Sequence, residues 1–268
     1  MSGQLHYNNP AADYFAIPAL SKSGASDLLK SPAHFLARRD RPMVPTAAMQ
    51  FGTLVHSMVL EPETVDVLYL ASPKFDRRTK AGKEAQAAFE EQAEGKTVVD
   101  IDTFQRAQRV ADAVRTHPTA GPLFEGGHAE VTARWEQHGL PCKARLDYYR
   151  GHSIIDLKTA QDASPDGFSR ASATFGYHLQ AAHYSDGLSI LGGKPLDRFV
   201  FVAVESGPPH GVGVYTLDAA ALTLGRRQMA LAADLYRLAI DPLEWKGYPT
   251  AVQELSLPGW AAPKRDIL

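Results

Sequence analysis

Apolar and polar residues alternate with a period of two from Ala129 to Thr159, the clearest periodic signal in the chain. The alternation is interrupted at His138-Gly139 and again at Gly151-His152. Short Gly-containing pairs between alternating runs predict β-hairpins, so the stretch reads as three antiparallel strands. Closing the second hairpin on Gly151-His152 sets Arg150 against Ser153 and Asp147 against Asp156. Closing the first sets Gln137 against Leu140 and Glu130 against Asp147. One face of this sheet then carries Glu130, Asp147, Asp156 and Lys158, with Arg134, Lys143 and Arg145 further along. The other carries Val131, Ala133, Trp135, Cys142, Ala144, Leu146, Tyr148, Ile155 and Leu157, a core face. A slip of one residue would mix the two sets, so the segregation itself supports the register.

Outside this region the period lengthens toward that of a helix. Helices are predicted from Ser21 through Lys30 with Ser23 as N-cap, onward from Pro32 through Arg38, and over Thr46–Leu60, where Glu61-Pro62 ends the run. Further helices are predicted over Ala81–Glu94, Ile101–His117, Ser164–Ala173, Gly176–Leu191 and Leu217–Ile240. Val65–Leu70, Thr97–Val99 and Asp197–Ser206 read as strands, and Val212–Leu217 pairs with the last of these across Gly207–Gly211. Residues 1–20 show no periodicity and read as an irregular lead-in. Trp245, Tyr248 and Trp260 give the tail enough aromatic surface to pack down. The expectation is one α/β domain with a central mixed sheet flanked by helices. Residues 1–125 form a mainly helical part carrying His56, 126–217 the sheet core, and 218–268 a C-terminal helix and tail.

At 268 residues, with 44% hydrophobic and 22% charged positions, the chain is ordinary for a globular domain. No apolar run is long enough for a membrane span, and the first residues lack a basic-then-apolar leader. The single cysteine, Cys142, excludes an internal disulfide and a four-cysteine cluster. A reducing cytoplasm is therefore the expected location. The net charge of −2 is not the basic excess usual for a nucleic-acid binder. Local basic clusters are nevertheless present: Lys30, His34, Arg38, Arg39 and Arg41; Lys74 through Lys83; and Lys143 with Arg145.

The in-register charges change the picture most. Adjacent cross-strand side chains lie about 4.5–5.5 Å apart at Cβ. Carboxylates that close need a cation or a shared proton. Glu130, Asp147 and Asp156 on one face suit a hard divalent ion such as Mg²⁺ or Mn²⁺, and Lys158 points to the same side as Asp156. A lysine there can steady or deprotonate an attacking water.

Asp147, followed after a short turn by Ile154-Ile-Asp-Leu-Lys-Thr159, resembles the PD-(D/E)XK nuclease motif. The likeness is to the branch of exodeoxyribonuclease VIII, the RecB nuclease domain and lambda exonuclease. That branch has an upstream Gly-Thr-x-x-His helix, matched by Gly52 through His56, and a downstream Gln-x-x-x-Tyr helix, matched by Gln180 through Tyr184. The resemblance spans roughly Ser21 to Tyr215 and departs from the motif where Leu146 replaces its proline.

It implies a restriction-endonuclease-like core and an Mg²⁺- or Mn²⁺-dependent deoxyribonuclease, most like a 5′→3′ double-strand exonuclease of phage-type recombination or repair. Asp147, Asp156, the Leu157 carbonyl and His56 would hold the ion, and Glu130 a second ion or a water. Lys158 would act on the attacking water, while Gln180 and Tyr184 would position strand and water. Ser26, His34, Arg38, Lys143 and Arg145 would contact DNA, although a plain helix–Pro–helix corner equally accounts for the first three. Duplex ends are the implied substrate, with a strand-annealing protein or further copies of the chain as partners. A RecB-like nuclease or endonuclease, and an inactive DNA-binding protein, are the alternatives. The chain carries no P-loop, so any helicase motor would be a separate protein.

Overall fold

The computed structural model describes residues 3–40, 44–238 and 247–257. In chain order, β1 (Gln4–His6) and α1 (Ala11–Ala16) lead into α2 (Lys22–Lys30), α3 (Pro32–Asp40) and α4 (Ala47–Leu60). A helical turn, α5 (Val65–Leu68), precedes β2 (Tyr69–Ser72), α6 (Lys80–Gln92), β3 (Thr97–Asp100) and α7 (Ile101–Thr116). The central region is β4 (His128–Gln137), β5 (Leu140–Arg150), β6 (Ser153–Ala160), α8 (Pro165–Phe175), α9 (Tyr177–Gly192), β7 (Arg198–Glu205), β8 (Val212–Tyr215) and α10 (Ala219–Leu238).

Local chemistry starts these helices. The side chains of Thr46, Thr79, Asp100 and Ser164 each accept a hydrogen bond from the third residue beyond, closing an orphan N–H of the first turn. For α2 the cap is Ser21, which accepts from the Gly24 N–H, and not Ser23. Both hairpins close as predicted, on His138-Gly139 (φ 54° and 66°) and Gly151-His152 (φ 51° and 71°). Positive φ at both central positions matches the twist of the flanking strands.

The strands assemble in the order β1-β4-β5-β6-β7-β8, a mixed sheet in which only β6 and β7 run parallel, and β2 pairs with β3 in a separate two-stranded sheet. Helices cover both faces. One core joins Trp135, Ala144, Leu146, Ile154 and Phe201 to α2, α8, α9 and α10. The other joins Tyr148, Ile155, Leu157, Val202 and Val204 to α4 and α7. The expected single core face is thus corrected. Tyr148, Ile155 and Leu157 pack on the side opposite Val131, Ala133, Trp135 and Leu146, because the sheet is sandwiched between helices.

Three shorter elements also differ from expectation. The lead-in contains β1, paired with β4, and α1; both are too short to show a period. Val65–Leu68 is a helical turn, and the strand begins only at Tyr69. Tyr248 is 72% exposed, its ring edge-on to His34 at 5.6 Å. Arg41, Trp245 and Trp260 lie outside the described residues.

The sheet forks beside Asp147. β5 pairs with β6 only from Tyr148↔Ile155 to Arg150↔Ser153, while β5 continues with β4 and β6 continues with β7. The predicted register holds up to this point, and the two strands part where the acids begin.

Candidate active site

Into this fork the Asp147 carboxylate reaches across and accepts the Leu157 N–H at 2.9 Å, replacing a ladder bond with a side-chain bond. On the other side, Glu130 interrupts the β4–β5 ladder. Its neighbours Ala129 and Val131 are paired with β5, and its own φ is 52°. A non-glycine residue in that left-handed region is strained, and such residues cluster at functional sites. The kink turns the Glu130 side chain out of the regular pleat. Arg145 donates to its Oε2 at 2.5 Å.

His56 arrives from α4, on the far side of the sheet. This helix is N-capped by Thr46 and presses Leu54, Val55 and Met58 into the second core. Gly52, one turn before His56, lets α4 approach β6: a Cβ there would lie 3.2 Å from Thr159 Oγ1. His56 Nδ1 stands 3.8 Å from Asp147 Oδ2, and the ring adjoins the Leu157 backbone. Ligand atoms of His56, Glu130 and Asp147 all lie within 4.8 Å of one another.

Asp156 occupies the opposite wall. It is fully buried, with Gln180 donating to its Oδ1 at 2.5 Å and Lys158 ion-paired to its Oδ2. The Lys158 ammonium lies 5.1 Å from the centre of the Tyr177 ring, a cation–π contact.

Burial raises the carboxyl pKa of all three acids. Glu130 is raised further by the Asp147 charge and drawn back by Arg145. At Asp147 burial is opposed by the Lys158 charge and the Leu157 N–H. Asp156 rises to about 6, from burial and then repulsion by Asp147. For Lys158 burial acts downward, but the charges of Asp156 and Asp147 outweigh it and raise the ammonium. His56 is lowered by burial and then by the Lys158 charge, which keeps the imidazole neutral and available as a ligand. Two crowded carboxyl groups beside a neutral imidazole fit a hard divalent cation, which would relieve the repulsion.

The remaining predicted residues are placed differently. Tyr184 is 8% exposed, within the first core, with its hydroxyl against the Arg145 backbone and near enough to Asp156 and Asp147 to feel their charges, so it backs the fork from the core side. Lys143 is buried too, its ammonium donating to the carbonyls of Tyr14, Phe15 and Ile17. It fastens the N-terminal segment and is not offered to DNA. Arg145 donates to Glu130 and to the Asn9 carbonyl. Arg38 is exposed and ion-paired with the buried Asp27, while His34 contacts Ser31 and Ser26 is half-buried on α2. These three lie on the α2–α3 corner, and of them only Arg38 lines the cavity of about 690 Å³ there, with Tyr14, Ser21 and Arg39.

Lys22 and Tyr177 were not anticipated. Lys22 donates to the Phe175 carbonyl at 2.6 Å, and its ammonium is lowered to about 8 by burial and then by the Lys158 charge. In the sequence it is one lysine in a serine-rich helix start, and only the folded α8–α9 corner brings it close to Lys158.

Residues 21–244 match the PDDEXK-like domain of unknown function DUF3799. The chain belongs to this family. The fork of acids and lysine lies within the matched residues. Among solved structures, this DUF3799 chain is similar to the crystal structure of a "putative exonuclease" from Eubacterium rectale. The TM-score is 0.64 at 14% identity, with 87% of each chain covered. At that identity the likeness establishes the shared fold. The crystal structure of SSO0001 aligns with a TM-score of 0.28 at 14% identity, over 67% of this chain and 86% of that one, and carries no argument. No curated protein matches.

Proposed function

We propose that this DUF3799 protein is a magnesium-dependent deoxyribonuclease that digests double-stranded DNA from its ends in the 5′→3′ direction. The observation that carries the reading is the convergence of His56, Glu130 and Asp147 within 4.8 Å, beside a lysine held on a buried aspartate. In this reading His56, Glu130 and Asp147 hold the ion, with the Leu157 carbonyl adjoining. Bound there, a divalent cation supplies Lewis-acid charge to the phosphate and acidifies a water. Asp156 keeps the Lys158 ammonium charged and aimed, and Gln180 fixes Asp156. Lys158 orients the attacking water and stabilises negative charge as it develops on the phosphate.

End dependence is supported by the α2–α3 corner. A terminal phosphate carries more charge than an internal one, and Arg38 with the hydroxyls of α2 offers charge-assisted hydrogen bonds to it. The test is Mg²⁺ digestion of linear duplex labelled at each end in turn, with and without a 5′-phosphate, beside covalently closed circles. The expected result is early loss of 5′ label, sparing of circles, and slower digestion by Arg38→Ala. Efficient cutting of circles would replace the exonuclease reading with an endonuclease one.

A further inference from the structure

A line of aromatic rings runs from the catalytic lysine to the surface. Lys158 Nζ sits over Tyr177, Tyr177 stacks on Phe201 at 5.8 Å, and on its outer side meets Phe175 at 5.9 Å with the planes 33° apart. Phe201 is fully buried, whereas Phe175 is 59% exposed. Phe175 ends α8, and Gly176 (φ 66°) then turns the chain into α9, so the Phe175 ring stands on a rigid corner between two helices. On that corner Lys22 bonds the Phe175 carbonyl, and a Cβ at Gly176 would lie 3.7 Å from Lys22 Cε. A cation and an outward-facing ring are thus fixed together beside Lys158.

We infer that this corner is a nucleotide subsite, in which Phe175 stacks a nucleobase flanking the scissile phosphate and Lys22 contacts that nucleotide's phosphate. The inference rests on the nuclease reading above. A base has a π-face whatever its identity, and an aromatic platform paired with a cation is the general solution for holding an unpaired strand without reading sequence. A flanking base that leaves the duplex stack and adds itself to the line Phe201–Tyr177–Phe175 would bring the backbone toward Lys158. Lys22 matches the phosphate of such a nucleotide in charge and is held on the same corner by the Phe175 carbonyl. Phe175 would therefore be a positioning residue.

The experiment places 2-aminopurine at successive positions near the end of a 5′-phosphorylated duplex and follows its fluorescence on binding with Mg²⁺ in a Lys158→Ala background. Quenching is expected at one or two positions only. It should be lost in Phe175→Ala with roughly 5- to 150-fold weaker binding, the range for one lost base–aromatic stack. Phe175→Trp should keep it, and Leu231→Ala, an exposed apolar truncation on α10, should change nothing. Lys22→Ala should weaken binding and flatten its salt dependence. Quenching that survives in Phe175→Ala, or is absent at every position despite binding, would overturn the stacking subsite alone. A protein that binds no DNA would overturn the nuclease reading and this inference with it.

Discussion

Among single residues, the charge arrangement at the fork is the most consequential. Asp147 and Glu130 are both raised by burial and oppose each other, so the metal-free protein holds them at a cost. Binding of an ion to the native state alone stabilises it by RT ln(1 + [L]/Kd), about 2.7 kcal/mol at a hundredfold excess over Kd. Melting temperature should therefore climb with Mg²⁺ or Mn²⁺, and Asp147→Asn should blunt the rise. Equal responses in wild type and Asp147→Asn would remove Asp147 from the ion site. Asp147, Asp156 and Lys158 were legible in the sequence because a period of two fixes which side chains share a face. The division of labour among them was not. A strand pattern cannot show that β5 and β6 part at Asp147, nor that Glu130 leaves the pleat at φ 52°, since both are breaks in the regular period it relies on.

The elements tell a similar story, with α9 as the best example. Its helical period was readable, but not that Gln180 would point to Asp156 while Tyr184, four residues on, entered the core. That depends on how closely α9 meets β4. A Cβ at Gly187 would fall 2.6 Å from the Trp135 ring, so only glycine permits the approach. Gly187→Ala should destabilise the protein by about 1–3 kcal/mol, the usual cost of overpacking. It should also slow cleavage by displacing Gln180 from Asp156. Unchanged stability by denaturant titration would show that α9 can give way.

The same helix carries His183, buried against Trp135 with its Nε2 on the Lys143 carbonyl and its pKa pushed down to about 4, chiefly by burial. Its folded pKa lies below its unfolded value near 6.5, so above that pH the ring is neutral in both states and stability is intact. As pH falls from 6.5 toward 4 the unfolded chain takes up the proton first, removing on the order of 3 kcal/mol. His183→Leu should show a shallower fall in melting temperature over that window, and an identical slope would assign the acid lability elsewhere.

For the whole molecule, a near-neutral chain with net charge −2 gathers acids and a lysine into one fork and sets Arg38 on the α2–α3 corner and Lys22 beside Phe175, while Lys74, Arg78 and Lys80 lie exposed around the start of α6. Lys143 and Arg145, counted from sequence as a basic cluster, are consumed internally by the carbonyls of Tyr14, Phe15, Ile17 and Asn9 and by Glu130. Sequence proximity alone could not separate a lysine that faces solvent from one that pins the N-terminal segment. Among the described residues, no helix is long and apolar enough to cross a membrane.

The decisive measurement is release of nucleotides from linear duplex DNA on addition of Mg²⁺, comparing wild type with Lys158→Ala matched for folding by circular dichroism. Wild type should digest the duplex, stop when EDTA is added, and exceed Lys158→Ala by about 10²–10⁴-fold. No Mg²⁺-dependent digestion by wild type, or equal digestion by Lys158→Ala, would contradict the assignment of this fork as a nuclease centre.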